Sequence, residues 1–105
     1  MKTMDIEEVI RRLKPIFLKN RVEKAILFGS VVRGTQTRKS DLDLLIVLKT
    51  DKRFFDRYEA FEEIPFLLEN RSVDMLIYLP EELENISHRK FIKTILAEGQ
   101  PIYEH

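Results

Sequence analysis

Two hydrophobic periods alternate along this chain. Ile6, Val9, Ile10, Leu13 and Phe17 recur at spacings of three and four, which predicts a helix to about Asn20 with one apolar stripe. Asp5 stands where an N-cap is needed, Glu7 and Glu8 follow where acids suit the helix dipole, and Pro15 predicts a kink. Arg11, Arg12, Lys14 and Lys19 lie opposite the stripe as a solvated face. The pattern then changes. Residues 22–28 end in the continuous run Ile26, Leu27, Phe28, as in a strand covered on both faces, and residues 41–48 form a second such run, which predicts a central strand. Phe54, Phe55, Tyr58, Phe61, Ile64, Leu67 and Leu68 predict an amphipathic helix within 51–70, interrupted near Pro65, with its aromatics in the core. Residues 72–79 predict a third strand, closed by Pro80. A last helix is expected over 81–98, with Leu83, Ile86, Ile92, Ile95 and Leu96 inward, ended by Gly99; Ile102 and Tyr103 add a short edge strand and His105 frays. This order predicts an α/β (α+β) fold, a small mixed β-sheet backed by helices, with residues 1–105 as a single domain.

Composition narrows the chemistry. Eighteen basic and eighteen acidic side chains cancel, so the chain has no global attraction for nucleic acid or an anionic membrane. No apolar run approaches the ~20 residues of a membrane span, and the N-terminus lacks the apolar core of a signal peptide, so the cytoplasm is the expected compartment. Cysteine is absent and there are two histidines, His88 and His105, which removes thiol chemistry and argues against zinc. His88, Arg89, Lys90 and Lys93 cluster near the last helix, as a solvated face or as a contact for a nucleotide or partner.

The polar residues that break the apolar runs are the candidates for function. Asp41 and Asp43 are two apart on a predicted strand, so both carboxylates point to one face. At ~5 Å and an effective dielectric of ~20 they repel by about 3 kcal/mol, which a divalent cation would relieve. Mg²⁺ fits, because it takes one or two carboxylates and leaves its other positions to water and phosphate oxygens. Gly29 lets the backbone approach an anion closely, and Ser30 offers a hydroxyl and the N–H groups of a helix start, so the pair reads as a phosphate cradle. An ordinary tight turn with a serine cap is the alternative. Arg33 would neutralise a triphosphate or hold an aspartate, and Gly34 would end the short helix. Asp74, one residue into an apolar strand, is either a surface residue of an edge strand or a third functional acid.

Gly29-Ser30 at the end of a strand, ten intervening residues, then Asp41-x-Asp43 opening the next strand resembles the signature of the DNA polymerase beta superfamily of nucleotidyltransferases. The segments GSVVRG and SDLDLLIV look most like the minimal nucleotidyltransferases, small members often found beside a HEPN-domain protein as a toxin–antitoxin pair. The resemblance implies the nucleotidyltransferase fold. It implies two Mg²⁺ ions on Asp41, Asp43 and Asp74, an ATP triphosphate gripped by Gly29 and Ser30, and transfer of AMP to a hydroxyl. Nothing in the chain looks like an acceptor-binding domain, so the acceptor is expected on a shallow surface, a second copy in a homo-oligomer, or another protein. The resemblance favours a tyrosine of a HEPN-type toxin, which makes this chain an antitoxin. Two alternatives stand beside it: a catalytically vestigial module that neutralises its partner by occlusion, and a transferase acting on RNA or a small molecule.

Overall fold

The computed structural model describes residues 5–29 and 41–105. Helix α1 spans Ile6–Lys19 and starts where the capping chemistry requires, with the Asp5 carboxylate accepting the Glu8 N–H at 2.8 Å. It runs through Pro15 and buries Val9, Leu13, Ile16 and Phe17. Its basic face is not purely solvated. Arg12 reaches Glu8 at 2.6 Å and donates to the Leu67 carbonyl at 3.2 Å, tying α1 to a distant segment.

Strand β1 (Val22–Phe28) and strand β2 (Leu42–Leu48) are the two central strands, as their unbroken apolar runs require. They pair antiparallel; β3 (Val73–Tyr78) joins β2 in parallel at one edge, and β4 (Gln100–Glu104) joins β1 antiparallel at the other. The sheet is therefore mixed, in the order β3-β2-β1-β4. His105 does not fray: its N–H donates to the Glu23 carbonyl at 2.9 Å.

Between β2 and β3 the expected amphipathic helix is absent. A 3₁₀ helix over Phe55–Phe61 gives way to α2, a single turn over Ile64–Leu67. Pro65 stands at the break expected there: lacking an N–H, it favours the first turn of a helix, and it lies in the first turn of α2. Phe61, Ile64 and Leu68 are buried as expected, but Phe54, Phe55 and Leu67 are exposed. The last predicted helix is also two, α3 (Pro80–Ile86) and α4 (Lys90–Glu98). The Ser87 hydroxyl donates to the Glu84 carbonyl at 2.8 Å and Arg89 is extended, so the chain turns before α4. Leu96, expected inside, is exposed.

Alternation of side chains along the strands divides the core into two layers. Ala25, Leu27, Leu42, Leu44, Ile46 and Ile77 pack toward α1, Phe61 and Ile64. On the other face Ile26 and Leu45 meet Ile92 and Ile95 of α4, with Leu76, Leu83 and Ile86 around them. No helix among the described residues is long and apolar enough to cross a membrane.

Arg57 is the one charged side chain buried among the described residues, at 6% exposure. Its guanidinium grips Glu82 through both carboxylate oxygens, at 2.6 and 3.2 Å, and faces the Ile77 and Lys52 carbonyls at 3.4 Å. Glu82 also accepts the Leu79 N–H at 2.8 Å, half of a capping box at the start of α3. The Arg57 hydrogen bonds, and then the Leu79 N–H, hold the Glu82 carboxyl below its ordinary value of 4.5. A depressed folded-state pKa means that this stabilisation is complete above the unfolded value and is lost as pH falls through the folded one. Thermal melts should therefore separate wild type from Glu82→Gln at neutral pH, and the gap should narrow progressively once the pH drops below about 4.5.

Candidate active site

The site is built where β1 ends. Gly29 turns the chain with φ +79°, a left-handed conformation that L side chains adopt only with strain. A Cβ on Gly29 would overlap Oδ2 of Asp43. Glycine is thus required here for conformation and for room, because the Asp43 carboxylate occupies the space a side chain would fill. Gly29→Ala should destabilise the fold by about 1–2 kcal/mol, shifting the urea midpoint, and should displace that carboxylate.

Strand register aligns the acids. Phe28 lies opposite Asp43 across the antiparallel β1–β2 pair, and Asp43 lies beside Asp74 across the parallel β2–β3 pair. With strands ~4.8 Å apart, the three residues make one row on the sheet face that carries α3 and α4. Asp43 is half-buried within this row, and Asp74 is exposed on the edge strand β3. Its exposure removes the burial cost that made it anomalous in the sequence.

Asp41 departs from expectation. Strand β2 starts at Leu42, whose N–H bonds the Ser72 carbonyl at 2.9 Å, so Asp41 lies just outside the strand and is exposed. Among the described residues no three acidic or histidine side chains gather tightly enough to hold a metal ion alone. The row of Asp43 and Asp74 is nevertheless a donor set that Mg²⁺ accepts, two hard carboxylates with the remaining positions left to water and phosphate. Ser30, Arg33 and Gly34 lie outside the described residues.

A cavity of about 590 Å³ opens beside this row. Phe28, Gly29 and Asp43 form its strand side; Lys90, Phe91, Thr94, Ile95 and Glu98 form its helix side. The Phe28 and Phe91 rings meet edge to face, with centroids 6.0 Å apart. Of the α4 residues only Lys90 was legible, in a basic cluster with a nucleotide or partner contact as one of its two readings; Phe91 fell beside the inward stripe of Ile92 and Ile95, the only cue that it faces somewhere else.

Comparisons with known proteins agree with this architecture. The model of the nucleotidyltransferase domain matches residues 6–102. The Methanocaldococcus jannaschii protein named "Putative protein adenylyltransferase MJ0604" is 37% identical over 99 residues, covering 93% of this chain and 94% of that one. A solved structure described as a "putative minimal nucleotidyltransferase" superposes with a TM-score of 0.68 at 24% identity, covering 96% of this chain and 99% of the other. A toxin–antitoxin crystal structure with AMP-PNP superposes with a TM-score of 0.64 at 21% identity, over 97% of this chain and 75% of that one. At such identities the two structures speak for the fold. With residues 6–102 of its 105 matched by the family model, the chain belongs to the nucleotidyltransferase domain family.

Proposed function

We propose that residues 1–105 act as one minimal nucleotidyltransferase domain that moves AMP from ATP to a tyrosine hydroxyl of a HEPN-type toxin, and so serve as its antitoxin. The observation that carries this reading is the pairing of Asp43 with Asp74 in one row beside Gly29, at the rim of a cavity of nucleotide size. The names of the methanogen relative and of the toxin–antitoxin fold neighbour support the acceptor class.

In the reaction the acceptor oxygen bonds to the α-phosphorus, the bond from that phosphorus to the β-bridging oxygen breaks, and pyrophosphate leaves with the electron pair. The hydroxyl proton passes to solvent. Asp43 and Asp74, with Asp41 at the strand mouth, are the residues that would hold two Mg²⁺ ions. Bound magnesium would neutralise phosphate charge and lower the acceptor's pKa. Gly29, whose side-chain space the Asp43 carboxylate fills, would meet the phosphates through its backbone alone, and Ser30 and Arg33 would complete their binding.

Incubation with labelled ATP, Mg²⁺ and the protein encoded by the neighbouring gene tests the reading. Label should appear on that protein and vanish when its acceptor tyrosine is changed to phenylalanine. Tight binding without any label would instead identify a module that works by occlusion.

A further inference from the structure

We propose that the α4 wall of the cavity is the nucleoside subsite, with the base of the bound nucleotide stacked on Phe91. This rests on the nucleotide-transfer reading above. The cavity is continuous from Gly29 and Asp43, where phosphates would lie, to the exposed side of α4. A triphosphate held at the first end carries its ribose and base toward the second. The volume of about 590 Å³ falls in the range of pockets that enclose a ligand of that size.

The chemistry of the wall fits a base better than more phosphate. Phe91 is 60% exposed, so its ring is open to a ligand in the cavity it lines. Phe28 packs against it with the two ring planes at 83°, which holds the ring in place while most of its surface stays open. Aromatic faces of this kind are what bases stack on. Lys90, Thr94 and Glu98 repeat at intervals of four along α4 and line the same cavity, so one polar stripe runs beside the aromatic surface. The Thr94 hydroxyl donates to the Lys90 carbonyl at 3.0 Å, which leaves its oxygen lone pairs, like the Glu98 carboxylate, to accept from ribose hydroxyls or an exocyclic amine.

Calorimetric titration of the full chain with Mg-ATP and with Mg-tripolyphosphate separates the subsites. Phe91→Ala should weaken ATP about tenfold, within the span of base–aromatic stacking, and leave tripolyphosphate within about twofold. Phe91→Tyr, which keeps the ring, should restore ATP affinity. Phe91 is exposed, so its truncation removes no buried contact of the core, and circular dichroism of each variant checks the fold. Three results would overturn the subsite while sparing the transfer reading: equal affinity of wild type for ATP and tripolyphosphate, equal weakening of both by Phe91→Ala, or unchanged ATP affinity with reduced labelling of the protein acceptor. The last would give the wall to the acceptor side chain. Failure of wild type to bind either ligand would remove the transfer reading itself, and this proposal with it.

Discussion

Asp43→Asn is expected to lower AMP transfer by about 10³-fold or more, while changing the stability of the fold by less than about 1 kcal/mol. The first figure follows from the proposed role: a carboxylate that anchors a charge-neutralising cation supplies several kcal/mol in the transition state, and each ~1.4 kcal/mol is tenfold in rate. The second follows from the position. Asn has the same shape, so the space beside Gly29 stays filled and the close approach at that turn is preserved. The substitution also removes one of two like charges that sit side by side on β2 and β3, a juxtaposition that works against the strand pairing. An activity lost without a stability lost marks a residue kept for chemistry. Asp74→Asn should have the smaller effect, because Asp74 is exposed on the edge strand and water can replace one of its oxygens. Single-turnover labelling and urea denaturation on the same preparations measure both. Transfer that survives Asp43→Asn within tenfold would take this carboxylate out of the reaction and leave occlusion as the explanation of any antitoxin behaviour.

The parts of the fold that could be read from the sequence are those where one local force dominates. Strand β1 matched its predicted bounds and β2 began one residue late, because unbroken Ile, Leu and Val runs are stable only between two covered faces. The Asp5 cap and the α1 stripe were legible for the same reason. The alignment of Asp43 with Asp74 was half legible. Alternation places each acid on a face, but only the parallel pairing of β2 with β3 sets them side by side. What could not be read depended on contacts distant in sequence. In the segment 51–70 the interruption near Pro65 was legible, but not that the part before it winds as a 3₁₀ helix whose Arg57 reaches Ile77 and Glu82. The helix side of the cavity was hidden because α4 had to be separated from α3 before Lys90, Phe91 and Glu98 could face the end of β1.

Arg57 looks in the sequence like any cation on an amphipathic helix, yet its loss should damage the fold as much as the loss of a core residue. Its guanidinium is almost sealed from solvent and connects three elements: the 3₁₀ helix that carries it, the Ile77 carbonyl of β3, and Glu82 in the first turn of α3. The Phe54 ring lies over it, 5.6 Å from the guanidinium carbon. Arg57→Ala leaves a hole the size of a long side chain and strips the Ile77 and Lys52 carbonyls of a donor, so it should destabilise by about 3 kcal/mol. For a domain of this size that lowers Tm by roughly 12–24 °C. Glu82→Gln should cost less, about 1–2 kcal/mol, because the amide oxygen can still accept from Leu79, while the amide nitrogen in place of the other oxygen cannot accept from Arg57. The double variant should fall well short of the sum of the two, since both changes break the same bidentate contact. Urea unfolding of the three variants measures the coupling. An additive result would show that Arg57 acts through packing and its carbonyl contacts alone, with Glu82 holding α3 independently.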